Sequence, residues 1–373
     1  MLILLKEEKF MWRFFIFLLA QTFLSGCSFS DSEPASIEAS LKNVNFRFDG
    51  KIGDLVVVYE PEFWSELQKE QLKKNLEVQI KPSLQEEFIL SIYLSPYSIF
   101  EKYQQKRRNV LFITISPEQE KPNFQFIDTV FLNPVQGKII AKNPQDILSF
   151  IPKNLEKIYQ KYQHAERLRL QAVFENQTPK IIHNLLIEKF NLFLALPKDV
   201  QLGLEEENFL WLRREKSRKM LHKDAETKKM KNYFHDVFQG VFISVEPYID
   251  EKQWTLDYRI EQRNKMLKKI PLEKEGAFMF TLFKDPYFYG DFYDPSLKFL
   301  EVAGQYAVEI KGIFQSEGTQ FGGQFIALTI LHPNQKYLIN LDTYLYAPQF
   351  GKREYLRELE AMIYSVSFLK NQL

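Results

Sequence analysis

The pattern of apolar and polar positions predicts alternating strands and helices from about residue 54 onward. The run 54–59, DLVVVY, has the unbroken apolar character of a buried strand. Apolar residues at helical spacing in 62–76 predict a helix, and a long helix is predicted from about Pro144 to Phe174. β-branched and aromatic residues between turn-forming residues predict further strands at 87–94, 109–115, 124–132 and 137–142.

The second half of the chain has a similar rhythm. Strands are predicted at 190–196, 207–215, 240–248, 276–283, 304–314, 322–331 and 336–346, with helices at about 251–269 and 352–369. Each half therefore ends in three strands followed by a helix. We predict an α+β fold with two domains, 46–178 and 179–373, each a mostly antiparallel sheet with helices packed on it. A diverged duplication is one interpretation of the shared rhythm.

Composition adds three limits to this picture. Aromatic residues make up 15% of the chain, with 34 Phe and 18 Tyr, so a large core can form despite only 14 Gly and 17 Pro. A formal net charge of +1 argues against nucleic acid as a partner, because phosphate binding needs a basic excess. The single cysteine excludes an intramolecular disulfide and a multi-cysteine metal site, and we predict no cofactor.

The N-terminal region predicts a secretory signal. Residues 13–24, RFFIFLLAQTFL, place a basic residue before an apolar run that is shorter than the roughly 20 residues a membrane-spanning helix needs. A buried helix is the alternative interpretation. Because Met11 begins a more typical signal than Met1 does, we expect translation to start at Met11.

The only cysteine follows this apolar run. Leu24-Ser25-Gly26-Cys27 resembles a bacterial lipobox, in which the cysteine thiol is lipidated. We therefore predict removal of the signal peptide 1–26, acyl chains on Cys27, and a Ser-rich tether over 27–45. The acidic residues that follow the cysteine are sparse, which favours an outer-membrane lipoprotein on the periplasmic face over one exposed at the cell surface.

Known catalytic motifs are absent from the sequence. It contains no Gly-x-Ser-x-Gly elbow, no Gly-Lys-Ser/Thr phosphate loop and no Gly-x-Gly-x-x-Gly, and its five histidines are scattered. No residue is assigned a catalytic or metal-binding role. The loop 284–295 has three aspartates among aromatics, which fits a calcium or sugar site or a plain surface loop.

Two basic segments are candidates for binding. Residues 211–235 carry nine basic and three acidic side chains, so they either attract an anionic polymer or lipid headgroup or form a solvated, partly helical excursion. Residues 351–366 predict an amphipathic helix with Arg353 and Arg357 one turn apart. Core packing is the simplest interpretation of that helix, and a functional role for these arginines is the other.

Several pieces of the chain, in order, resemble Bacteroidota lipoproteins of the domain-of-unknown-function family 4837. Besides the lipobox they are GKIGDLVVVYEPEFW (50–64), RNVLFITI (108–115), NFLWLRRE (208–215), RIEQRNKMLKKIP (259–271), GQYAVEIKGIF (304–314), FGGQFIALT (321–329) and YLYAPQFGKREYLRELEAMIYS (344–365). Gln324 stands where the family has a proline, and Leu272 where it has a glycine. The resemblance implies an outer-envelope lipoprotein of a Gram-negative bacterium with no established activity.

The leading hypothesis is a lipid-anchored envelope protein that binds or scaffolds a partner protein or an envelope polymer and is not an enzyme. The alternative is an envelope hydrolase or transferase that uses dispersed carboxylates. The candidate contact residues, all within the family-like pieces, are Trp64, Trp211, Arg213, Arg214, Gly322, Gly323 and Arg353.

Overall fold

The computed structural model describes residues 48–83, 85–128, 133–223, 229–284 and 293–369, without the side chains of 128, 222 and 223. The predicted signal peptide, Cys27, the tether and most of the loop 284–295 lie outside the described residues. Among the described residues, no helix has both the length and the apolar composition that crossing a bilayer requires. The described residues all fall within one compact unit, and the domain division at 178/179 stays a prediction.

A five-stranded sheet forms the first half, in the order β2-β1-β3-β5-β4. Its strands are β1 (Asp54–Tyr59), β2 (Ser91–Pro96), β3 (Asn109–Ile115), β4 (Asn123–Asp128) and β5 (Val135–Ala141). Two helices connect its first strands, α1 (Glu66–Leu76) and α2 (Tyr97–Tyr103). Strand β1 is apolar after Asp54 because both of its faces are covered: Leu55 and Val57 enter the main core, whereas Val56 and Val58 pack with Phe100 of α2.

This sheet corrects the prediction of a mostly antiparallel sheet in the first half. Strand β1 pairs in parallel with β2 and β3, and β3 pairs in parallel with β5; only β4 runs antiparallel, against β5. The physical reason is the connection, because parallel neighbours need a crossover of a dozen or more residues, usually with a helix. Helices α1 and α2 lie within two such crossovers.

The long helix α3 (Pro144–Glu175) packs across this sheet, as the apolar spacing predicted. Asn143 caps it by accepting a hydrogen bond from the backbone N–H of Asp146. The hydroxyl of Tyr162 donates to the carbonyl of Val110 at 2.7 Å, deep in the core. Gly137 of β5 makes room for that ring, since a Cβ there would lie 2.6 Å from the Tyr162 hydroxyl.

An eight-stranded antiparallel sheet, curled into a half-barrel, forms the second half. Its order is β10-β12-β13-β14-β9-β8-β7, and β11 also pairs with β12. The strands are β7 (Gln201–Glu206), β8 (Phe209–Lys223), β9 (Met230–Pro247), β10 (Phe278–Thr281), β11 (Ser296–Val302), β12 (Gln305–Glu317), β13 (Gly323–Leu331) and β14 (Tyr337–Tyr346). A separate two-stranded sheet pairs β6 (Leu192–Phe193) with β15 (Ser367–Phe368).

Helices cover both faces of the large sheet. Helices α4 (Lys180–Phe190) and α6 (Arg353–Tyr364) contribute Leu186 and Leu359 to an aliphatic core on one face. Helix α5 (Leu256–Leu267) contributes Ile260 to an aromatic core on the other face. The α+β class is therefore confirmed. The two sheets differ in strand number and direction, so the described fold does not repeat one topology.

Two local predictions are corrected by the structure. Most of the basic segment 211–235 is not a helical excursion, because β8 and β9 form one long antiparallel hairpin through it. The strand expected over 190–196 is limited to β6, Leu192–Phe193, because helix α4 extends from Lys180 to Phe190. The buried residues of α4, Ile182, Leu186 and Phe190, recur every four positions, which is the spacing of a helix face.

Candidate functional site

Helix α6 joins the two halves of the described fold. Its apolar side packs on the large sheet through Leu359 and Ile363. Its N-terminus faces the segment between α1 and β2, where the carboxylate of Glu87 accepts hydrogen bonds from the backbone N–H of Lys352 (2.6 Å) and of Arg353 (3.1 Å). A carboxylate is favourable there because it satisfies otherwise unpaired N–H groups at the positive end of the helix dipole.

Three further hydrogen bonds hold this segment against the second half. Gln324 of β13 donates to the carbonyl of Pro82 at 2.7 Å. Arg357 donates to the carbonyl of Ile89 at 2.5 Å, and Arg353 donates to the hydroxyl of Ser91 at 2.7 Å. The segment therefore forms a wall beside α6.

A cavity of about 110 Å³ lies between this wall, α3, α6 and strands β12 and β13. Among the described residues, five cationic side chains line it, namely Lys81, Arg167, Lys311, Arg353 and Arg357, and Glu360 is the only carboxylate that does so. The apolar lining residues are Ile80, Pro82, Ile89, Phe325, Ile326 and Leu356, and Gln163, Gly312 and Gln324 complete the lining.

Glu360 is held in its ionised form. Its carboxylate lies 3.5 Å from the ammonium of Lys311 and 3.7 Å from the guanidinium of Arg167. Burial by itself would raise the pKa of Glu360, but Lys311, Arg167 and Arg357 together bring it below its ordinary value. Glu360 therefore offsets part of the positive charge of the cavity and is poorly suited to donate a proton.

Arg353 and Arg357 form no such ion pair. Among the described residues, neither guanidinium has a carboxylate within 4.0 Å, and the buried atoms Arg353 Nε and Arg357 Nη1 have no hydrogen-bond partner. Both atoms lie beside Gly53, where a Cβ would be 3.3 Å from the first and 2.9 Å from the second. Burial lowers the pKa of Arg357, and the more distant carboxylates of Glu166 and Glu360 offset part of this effect. A bound anion would add a direct partner for the two guanidiniums.

A second cavity, of about 510 Å³, adjoins the first and shares Gln163, Arg167, Lys311 and Glu360 with it. One face of α3 lines the second cavity with a basic stripe, Lys157, Lys161, His164 and Arg167, and of these Arg167 also lines the first cavity. These positions are separated by four, three and three residues, so they follow one helix face. The stripe extends the positive charge from the first cavity along α3.

The structure does not bring the seven predicted contact residues together. Arg353 lines the cationic cavity. Trp64 and Trp211 are buried in separate cores. Arg213 pairs with Glu215 at the surface, at 3.1 Å.

The other predicted residues have structural contacts. Arg214 is buried and pairs with Asp199 (2.6 Å) and Glu358 (2.9 Å). Gly322 and Gly323 precede the cavity residue Gln324 without lining the cavity themselves. Their contact role stays a prediction.

Sequence reasoning missed Lys81, Arg167 and Lys311 as members of this site. One signal was available for Lys311, because Glu309 and Lys311 interrupt the apolar strand AVEIKGIF (307–314). Charges in a strand that is otherwise buried need a partner or a cavity. Among the described residues, no group of three His, Cys, Asp or Glu side chains could hold a metal ion.

The chain was compared with known proteins. Two family models match it, both described as domains of unknown function: DUF4837 over residues 180–365 and DUF8532 over residues 49–175. No curated protein matches the chain.

Among solved structures, LpqN, involved in cell envelope biogenesis of Mycobacterium tuberculosis, aligns with 48% of this chain and 83% of its own at 12% identity. The TM-score is 0.26, and a likeness this weak carries no argument.

The resemblance to DUF4837 is confirmed for the second half by the family match. The pieces 50–64 and 108–115, which resembled the same family, lie within the DUF8532 match instead. The two matches abut between residues 175 and 180, where α3 ends and α4 begins. The chain is thus similar, over both of its halves, to domains of unknown function.

Proposed function

We propose that this protein is a lipid-anchored protein of the cell envelope that binds an anionic group in the cationic cavity beside α6. The observation that carries the proposal is the charge of that cavity, whose lining has five cations and one carboxylate. Two of the cations, Arg353 and Arg357, are guanidiniums that have no carboxylate partner among the described residues. Guanidinium groups bind carboxylates and phosphates with paired, charge-assisted hydrogen bonds.

Binding is favoured over hydrolysis by the state of the one carboxylate in the lining. Hydrolysis by two carboxylates requires a second acidic group nearby and, in one of the pair, a pKa raised enough to donate a proton. Among the described residues that line the first cavity, Glu360 is the only carboxylate, and its pKa is lowered. A second carboxylate, Glu309, lines the adjoining cavity and is also paired with Lys311, at 3.4 Å. The basic stripe on α3 would instead raise the local concentration of an anionic partner.

The cellular location of the protein is proposed from its sequence. The lipobox at Cys27 supports anchoring by acyl chains, and the sparse acidic residues after it favour the periplasmic face of the outer membrane. An envelope polymer or a partner protein that carries acidic groups would meet the cavity there. A nucleic acid is not the expected partner, since the formal net charge is only +1.

The proposal is tested with the full chain in a non-ionic detergent and three anions: hexanoate, acetate and inorganic phosphate. Hexylamine serves as the probe of opposite charge. We expect at least one of the anions to raise the midpoint of thermal unfolding in a saturable way, whereas hexylamine does not, because ligand binding stabilises the folded state.

A matched pair of variants locates the binding. Arg353→Gln removes a cavity cation, whereas Lys352→Gln removes the neighbouring cation, which does not line the cavity. We expect Arg353→Gln to weaken anion binding at least ten-fold and Lys352→Gln to leave it within about two-fold. If the wild-type chain binds none of the three anions, or if both variants bind alike, the proposal is wrong.

A further inference from the structure

The cationic cavity is not a purely polar site. Ile80, Pro82, Ile89, Ile326 and Leu356 line it together with the cations. Ile80 is half-buried against the core of the second half and Ile89 against the core of the first half, so the two cores meet at this wall. A small hydrophilic anion would leave these apolar groups in contact with water or with empty space.

The size of the cavity limits the ligand. One water molecule needs roughly 10–15 Å³ of such space. A cavity of about 110 Å³ therefore has room for a group of about seven to eleven non-hydrogen atoms. This is too small for a folded protein segment or a polymer chain, although one end of a longer molecule would fit.

The arrangement of charged side chains in the cavity indicates where the anionic group of a ligand binds. Arg353 and Arg357 lie one turn apart on α6, and both line the cavity without a carboxylate within 4.0 Å among the described residues. Lys311 and Arg167, by contrast, are already engaged with Glu360. An anion is therefore expected at the two arginines, with the apolar body of the ligand against the isoleucines.

We propose that the ligand of this cavity is an amphipathic anion, in which a carboxylate or phosphate head carries a short apolar chain or ring of about six carbons. The inference rests on the proposed function and deepens it by naming the class of ligand. The head binds Arg353 and Arg357, and the chain contacts Ile80, Ile89, Ile326 and Leu356. Both kinds of head share the chemistry of an oxyanion that a guanidinium can bind.

The experiment is a binding series with the full chain in the same detergent. The probes are acetate, butanoate and hexanoate, with inorganic phosphate and hexyl phosphate as the second series. Burial of one methylene strengthens binding by roughly four-fold. We expect hexanoate to bind at least ten-fold more tightly than acetate, or hexyl phosphate at least ten-fold more tightly than inorganic phosphate. The series that shows this gain identifies the head group.

Variants of the apolar wall provide a second measurement. Ile80→Ser is expected to reduce the gain from acetate to hexanoate several-fold while leaving the affinity for acetate within about two-fold. The control is Ile181→Ser, at an isoleucine of α4 that is 74% exposed and does not line the cavity. If Ile80→Ser does not fold, the chain-length series on the wild-type chain decides the question.

The outcomes separate the two proposals. If acetate and inorganic phosphate bind as tightly as hexanoate and hexyl phosphate, anion binding stands and the amphipathic ligand is wrong. If no anion binds at all, the proposed function itself is wrong. The inference would also be overturned if Ile80→Ser and Ile181→Ser had equal effects on the increase in affinity from acetate to hexanoate. That increase would then come from partition of the longer anion into the detergent micelle and not from the cavity.

Discussion

Gly322 and Gly323 are adjacent, yet a side chain would meet different surroundings at each. A Cβ at Gly323 would lie 1.9 Å from the carbonyl oxygen of Leu345, a distance that no real contact allows. A Cβ at Gly322 would lie 3.1 Å from the carbonyl oxygen of Phe314, which small movements can relieve. Gly323 is therefore required for the close approach of β13 to β14.

We expect Gly323→Ala to lower the free energy of unfolding by about 3 kcal/mol or more, because backbone must move to admit the methyl group. Gly322→Ala is the matched control, with an expected loss of about 1 kcal/mol or less. Urea denaturation of both variants measures the difference. Equal losses at the two positions would contradict this account of the glycine pair.

Asp342 is a buried carboxylate paired with the buried guanidinium of Arg263 at 2.9 Å. Burial raises the pKa of Asp342 to about 6, although Arg263 acts in the opposite direction. The folded state therefore binds the proton of Asp342 more tightly than the unfolded chain does. The sign follows from linkage: this contribution to stability is present at low pH and is lost as pH rises through about 6.

We therefore compare the free energy of unfolding of the wild-type chain with that of Asp342→Asn at about pH 4 and about pH 6. Relative to the variant, the wild-type chain is expected to lose on the order of 2–3 kcal/mol between these two pH values. Urea denaturation at several pH values measures it, and Asp257→Asn, at an exposed ion pair with Lys284, is the control. A gain for the wild-type chain over this range would show that Arg263 outweighs burial.

At the scale of elements, α6 is the helix on which the candidate site depends. It contributes Arg353, Arg357 and Glu360 to the cavity, and it begins at a carboxylate that lies 265 residues earlier in sequence. Glu87 accepts from two N–H groups at this helix N-terminus. The apolar spacing predicted the helix, but no local pattern predicted its cap.

We expect Glu87→Ala to lower the free energy of unfolding by about 1–2 kcal/mol, because it removes the hydrogen bonds and the favourable charge at the N-terminus of α6. The control is Glu86→Ala at the exposed neighbour, whose carboxylate accepts only from the side chain of Gln79 among the described contacts. Its expected effect is below about 0.5 kcal/mol. Chemical denaturation compares the two, and similar losses would show that Glu87 does not act as a cap.

At the scale of the whole molecule, the two halves meet through polar contacts that surround a cavity. Glu87, Gln324, Arg353 and Arg357 all bond across this boundary. A binding site at such a boundary can respond to the relative placement of the halves, since each contributes part of the wall. Cys27 and the tether lie outside the described residues, so the link between this site and the membrane stays a prediction.

We expect Cys27→Ala to abolish incorporation of labelled palmitate and to release the protein from the membrane fraction, because acyl chains provide the predicted anchor. Ser28→Ala, next to the cysteine, is the control and should retain both label and membrane association. The measurements are metabolic labelling and fractionation of cells that express each variant. Persistent labelling of Cys27→Ala would exclude lipidation at this position.

The sequence alone determined the features that depend on neighbouring residues. Apolar spacing predicted α1 and α6, and runs of β-branched residues predicted β1, β3 and the hairpin strands near the C-terminus, because periodicity reflects which face of an element is buried. The α+β class followed from these elements. The resemblance of residues 24–27 to a lipobox also depends only on adjacent residues, and lipidation of Cys27 stays a prediction.

Only the tertiary structure decided strand direction and the site. The parallel pairing of β1 with β2 and β3 depends on how the crossover segments pack, and a strand has the same local pattern in either direction. The cavity joins Ile80, Arg167, Lys311 and Arg357, which are 87, 144 and 46 residues apart in succession. Contacts at such separations are selected by the packing of both halves, so a single sequence predicted one lining residue, Arg353, as a contact but not the cavity around it.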